Sequence, residues 1–121
     1  MIVDDEDSIR DFVSQVLKKY GYTVLTASSG EEALKIYTAG PKEIDLVILD
    51  IGMPGMGGHK CLQKIRVFDP SAKVIVASGY SSNGQVKETM AVGAVGYMGK
   101  PYKLTDLLNE VRTVLDKTNM R

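Results

Sequence analysis

Leu46-Val47-Ile48-Leu49 is an unbroken apolar run that stops on Asp50, and Val74-Ile75-Val76-Ala77 repeats the pattern and stops on Ser78. Four apolar residues in a row, without alternation, suit a strand covered on both faces, as in a parallel sheet flanked by helices. Outward from these two runs, short Val- and Ile-rich segments alternate with longer segments of helical period. Ile2-Val3 forms a brief first strand, and Ile9, Phe12, Val13, Val16 and Leu17 lay one stripe along a helix. Gly21 ends that helix as a left-handed cap would. Tyr22 to Ala27 predicts a second strand. Ser29 with Glu32 three residues later has the form of a capping box, opening a helix through Ala33, Leu34, Ile36 and Tyr37 that Gly40-Pro41 closes. The glycine-rich loop Ile51 to Gly58 leads into a helix carrying Cys61, Leu62 and Ile65, stopped near Asp69-Pro70. Ser82 to Val92 predicts a weakly amphipathic helix, Gly96-Tyr97-Met98 a short fifth strand, and Leu104, Leu107, Leu108, Val111, Val114 and Leu115 a strong final helical stripe.

Regular β-α alternation implies an α/β fold: five parallel strands joined by right-handed crossovers, doubly wound with helices on both faces of one sheet. A chain of 121 residues fits one such domain. In an open parallel sheet the functional edge lies beyond the carboxyl ends of the strands. The residues delivered there are Asp4 and Asp5, then Asp50, then Ser78, then Lys100.

Composition narrows the chemistry. Hydrophobic residues at 44% and charged residues at 25% are those of a soluble globular protein rather than a disordered or membrane-spanning one. Fifteen basic against fifteen acidic side chains give no net charge, so no global field draws the domain onto nucleic acid or an acidic bilayer. One cysteine, Cys61, excludes an internal disulfide, and one histidine, His59, leaves zinc sites and serine-histidine triads hard to assemble. Cys61 is expected in the core and His59 exposed at a helix start. No apolar run approaches the ~20 residues that span a bilayer. The acidic amino terminus is unlike a secretory signal, so a cytoplasmic location is expected.

Three converging carboxylates repel one another unless a cation lies between them, and Mg2+ suits this set because it prefers few protein oxygens, retained waters and phosphate oxygens. Lys100 adds a second positive charge, and Ser78 a hydroxyl able to donate to a phosphoryl oxygen. Asp50 among cations has the makings of a nucleophile that forms an aspartyl phosphate. Asp7 and Glu6 read as a solvated acidic start to the first helix, favoured by its dipole.

Asp4-Asp5-Glu6, Leu49-Asp50, Met53-Pro54-Gly55-Met56-Gly57-Gly58, Ala77-Ser78-Gly79 and Lys100-Pro101-Tyr102 follow one another in the order seen in response-regulator receiver domains. The chain resembles that family over nearly its whole length. The resemblance implies a flavodoxin-like sheet with strand order 2-1-3-4-5, which alternation alone leaves open. It implies that Asp50 is the phosphoacceptor, served by a histidine kinase or a histidine phosphotransfer domain. It further implies that Asp5, Asp50 and the Gly52 backbone carbonyl bind Mg2+ directly and Asp4 through water. Ser78 and Tyr97 resemble the family's switch pair, although an aromatic packed on a sheet edge is the plainer reading of Tyr97. The Lys100–Pro101 bond is expected to be cis, as in the family.

The resemblance also has departures. The first strand looks clipped, which suggests a domain of residues 1–121 cut from a longer chain with neighbouring domains. Gly52 lacks the side chain that many receivers carry two residues after the phosphoacceptor, so phosphoryl lifetime does not follow from the sequence. The run Gly52 to Leu62 is similar to receivers of hybrid sensor histidine kinases more than to those joined to DNA-binding domains. Two other functions compete: a receiver-like interaction module that no longer takes phosphate, and an aspartate-nucleophile phosphohydrolase. The first usually has lost an acidic residue or the lysine, and the second typically needs a carboxylate where Gly52 stands. A flavin-binding domain of this topology would need a phosphate loop where the chain has Asp-Asp-Glu.

Overall fold

A computed structural model describes residues 1–40, 43–53, 55–79 and 83–119 of the chain. Strands β1 (Ile2–Val3), β2 (Thr26–Ala27), β3 (Val47–Asp50), β4 (Val74–Ser78) and β5 (Gly96–Gly99) alternate with helices α1 (Asp7–Lys19), α2 (Gly30–Ala39), α3 (Gly57–Phe68), α4 (Asn83–Val92) and α5 (Leu104–Asn119). All pairings are parallel, in the order β2-β1-β3-β4-β5. The (βα)5 doubly wound architecture and the strand order are those expected.

Side chains that alternate along the central strands feed two cores. Val3, Val47, Leu49, Val74 and Val76 pack with Ala33 and Tyr37 of α2 and with Cys61, Leu62 and Ile65 of α3. Ile2, Ile48, Ile75 and Met98 face the other way, onto Val13, Val16 and Leu17 of α1 and Leu107, Val111 and Val114 of α5. Apolar residues of both parities are therefore required in each central strand, which is why their sequences do not alternate.

Local signals behave as their chemistry dictates. Gly21 takes φ +93, its N–H bonds the Lys18 carbonyl at 3.1 Å, and the Tyr22 N–H bonds Leu17 at 3.0 Å, which together form a Schellman cap. Ser29 Oγ accepts from the Glu32 N–H at 3.1 Å, while the Glu32 carboxylate reaches one residue further back than a standard box, to the Ser28 N–H at 2.8 Å. Glu6 is the N-cap of α1 and makes no side-chain cap bond, whereas Asp7 in the first turn pairs with Arg10.

Some expectations need correction. Only Thr26–Ala27 of the segment Tyr22 to Ala27 is strand. A parallel strand is laddered only where its neighbour has residues to pair with, and β1 offers Ile2 and Val3. Phe12 sits at the rim of its stripe, 38% exposed, and His59 is half-buried rather than exposed. Ser82, the expected start of α4, lies outside the described residues. Cys61 is fully buried as expected, and burial followed by the nearby Glu31 charge pushes its thiol up to about 11.

The start of α3 depends on one glycine. A Cβ at Gly58 would overlap the Ile51 Cα and the Asp50 carbonyl oxygen, so the helix can approach the end of β3 only with hydrogen there. Gly58→Ala is expected to lower stability by about 2 kcal/mol through this overlap. Urea unfolding checks it, and a loss below about 0.5 kcal/mol, the scale of an ordinary surface change, would contradict the packing.

Candidate functional site

Parallel strands ending at one edge bring their terminal residues together. Asp4 follows β1, Asp50 ends β3, Ser78 ends β4 and Lys100 follows β5. Asp4 and Asp50 are only 1% and 5% exposed, and Ser78 is buried. Lys100 Nζ lies 2.8 Å from Asp4 Oδ2 and 3.0 Å from Asp50 Oδ2, with its side chain 12% exposed. One ammonium thus spans two buried carboxylates drawn from different strands.

The remaining oxygens are occupied by backbone. Asp4 Oδ1 accepts from the Glu6 N–H at 2.9 Å, and Asp50 Oδ1 accepts from the Gly52 N–H at 2.9 Å. Each bond closes a short loop that fixes the carboxylate plane. Arg10 Nη1 donates to the Asp4 carbonyl at 2.6 Å, tying the first turn of α1 to the end of β1. The Lys100 N–H donates to the Ser78 carbonyl at 2.8 Å, which continues the β4–β5 ladder to the lysine. The Lys100–Pro101 bond is cis, as expected.

Asp5 is exposed, and one oxygen from each of Asp4, Asp5 and Asp50 lies within 4.8 Å of the others. Three carboxylates against one ammonium leave a formal charge of −2 at this edge. An all-oxygen set with that residual charge and an exposed member fits a hard divalent cation that keeps its own waters. Tyr97 is half-buried on β5 and packs against the core shared with α2 and α3.

Two residues near the cluster escaped sequence reading. Arg10 was hidden because its partner is a backbone carbonyl, for which no spacing rule exists. Tyr102 stands in the quoted Lys100-Pro101-Tyr102 motif, yet its hydroxyl is buried without a hydrogen-bond partner among the described residues, which only the fold reveals.

Residues 1–112 match the model of the response regulator receiver domain. The chain belongs to that family. This receiver is 33% identical to sporulation initiation phosphotransferase F of Bacillus subtilis, over 95% of the chain and 91% of that protein. It is 36% identical to sensor kinase CckA of Brucella abortus over 97% of the chain, but spans only 12% of that protein. Among solved structures it superposes on the CheX–CheY–BeF3–Mg+2 complex of Borrelia burgdorferi with a TM-score of 0.89 and 36% identity, over 93% of this chain and 85% of that one. Receiver domains bind Mg2+ at an acidic pocket and interact with histidine kinases and phosphotransfer proteins, and the Asp cluster of this receiver fits that use. Among the described residues no helix is long and apolar enough to cross a membrane.

Burial opposes the charge on Lys100, yet its bonds to Asp4 and Asp50 outweigh that and raise the ammonium above its ordinary 10.5. A lysine raised in the fold adds stability that is complete below pH 10.5 and lost as pH climbs through the folded value. Lys100→Met leaves two buried carboxylates without their cation and is expected to cost about 3 kcal/mol at pH 7. In urea unfolding the gap between wild type and variant should stay level up to about pH 10 and narrow above it. A variant as stable as wild type at pH 7 would contradict the pairing.

Proposed function

We propose that this receiver takes a phosphoryl group onto Asp50 from a phosphohistidine, carried by a histidine kinase or a histidine phosphotransfer domain, in the cytoplasm. The observation that carries the reading is the Lys100 ammonium held between Asp50 and Asp4, with Asp5 completing the cluster. In the transfer, an Asp50 carboxylate oxygen supplies the electron pair for the new O–P bond. The P–N bond of the phosphohistidine breaks, and its pair returns to the imidazole.

Charge in such a transfer spreads over the equatorial phosphoryl oxygens, so the protein contributes mostly position and electrostatics. Gly52 N–H holds the Asp50 carboxylate in a fixed plane, and Lys100 already lies within reach of whatever Asp50 carries. Asp5, Asp50 and the Gly52 carbonyl would hold Mg2+ directly, with Asp4 acting through water. The bound ion would supply positive charge to the phosphoryl oxygens. The Borrelia relative, a complex with BeF3 and Mg+2, supports the same use of the site.

Ser78 ends β4, and its hydroxyl is the group proposed to donate to a phosphoryl oxygen. Tyr97, half-buried on the edge strand β5, is proposed to turn with it and alter the outer surface. Identity to a segment of a sensor kinase over 97% of the chain supports a place for the domain beside a kinase.

Intact-protein mass spectrometry after incubation with acetyl phosphate tests the reading. Wild type should gain one phosphoryl group only in the presence of Mg2+. Asp50→Asn should gain none while unfolding cooperatively. Labelling of the Asn variant, or none of wild type, would overturn the assignment.

A further inference from the structure

Arg10 contributes no oxygen to the acidic cluster, yet it holds the backbone from which the cluster's exposed member projects. Its Nη1 donates to the Asp4 carbonyl at 2.6 Å, and its Nη2 pairs with Asp7 in the first turn of α1. The side chain is only 18% exposed, so the guanidinium is laid against the protein rather than loose in solvent. The planar fork of an arginine serves two acceptors at fixed angles, which the point charge of a lysine does not. Arg10 also bonds through its main chain, its N–H donating to the Glu6 carbonyl at 3.1 Å.

Asp5 sits between two held peptide groups. The Asp4 carbonyl and the Asp5 N–H share one plane, so the bond from Arg10 sets the direction in which Asp5 leaves β1. On the other side, the Glu6 N–H is held by Asp4 Oδ1 at 2.9 Å, which pins the plane that follows. Asp5 is exposed, and its carboxylate has a short stem, so these two planes largely decide where its oxygens fall. One of them lies within 4.8 Å of oxygens of Asp4 and Asp50. Mg2+ demands near-ideal octahedral geometry, so a displaced ligand lowers its affinity.

We infer that Arg10 is a positioning residue for the cation: its guanidinium fixes the Asp4–Asp5 peptide and thereby aims the Asp5 carboxylate at the ion shared with Asp50. This rests on the reading of the cluster as a Mg2+ site. Charge and geometry act in opposite directions here. As a cation, Arg10 repels an incoming divalent ion, whereas its two bonds prepare the ligand for it. Residues that orient metal ligands from outside typically alter affinity by about 10- to 100-fold.

Arg10→Met removes the donors and the charge while keeping an unbranched side chain of similar helix propensity. Amide chemical-shift titration of the 121-residue chain with MgCl2 should give a Kd about tenfold weaker in this variant than in wild type. Loss of the charge alone would make the variant bind more tightly, so the sign of the change separates the two roles. Arg10→Lys keeps the charge and one donor but not the fork, and it too should bind more weakly than wild type. Urea unfolding without Mg2+ checks that both variants fold cooperatively. An arginine that only supports the fold would lower the urea midpoint and leave the Kd unchanged. Kd values equal to or tighter than that of wild type in both variants would overturn the inference while leaving the metal site standing. Wild type that binds no Mg2+ would overturn both.

Discussion

The Lys100 ammonium between two buried carboxylates is the interaction on which the acidic edge depends. Asp4 and Asp50 come from adjacent strands and would repel each other across a region with little water. Lys100 arrives from β5, two strands away from β3, so the contact exists only when the whole sheet is assembled in register. Its 2.8 and 3.0 Å contacts link the chain's first and last strands through charge, where backbone hydrogen bonds link only neighbours. The same cation that steadies the resting cluster is the one proposed to meet the phosphoryl group, so stability and chemistry draw on one side chain.

The surroundings hold this arrangement rigidly on one side and leave it open on the other. Gly58 lets α3 press against the Asp50–Ile51 backbone, and Arg10 ties α1 to the Asp4 carbonyl. Both anchor the carboxylates through main chain, so neither consumes a site oxygen. Asp5 stays exposed and leaves an approach for an ion and a phosphoryl donor. A closed acidic pocket would bind a cation and exclude the substrate.

The fold was legible because periodicity and punctuation agreed at every step. Doubly apolar runs at 46–49 and 74–77 demand cover on both faces, and Gly21, Ser29 and Gly40 mark helix ends by backbone chemistry that a sequence states openly. The strand order came through family resemblance, since alternation permits several orders. The length of β2 was misjudged because pairing depends on the neighbour strand rather than on the segment's own β-propensity. At the site, Asp4, Asp5, Asp50, Ser78 and Lys100 could be read because strand ends are predictable and chemistry-bearing residues sat on them. Arg10 and Tyr102 could not, because a bond to a carbonyl and a buried hydroxyl leave no pattern in residue spacing. Tyr97 was identified, but the core its ring rests on is visible only with the neighbouring helices in place.

The central claim is that the cluster carries uncompensated negative charge suited to a second cation. Thermal unfolding across a Mg2+ titration tests it most directly, because a ligand that binds only the folded state stabilises it by an amount that grows with its concentration. The account predicts a Tm that rises steadily with the logarithm of Mg2+ in wild type and hardly moves in Asp5→Asn. A wild-type Tm indifferent to Mg2+, or an equal rise in the variant, would contradict it.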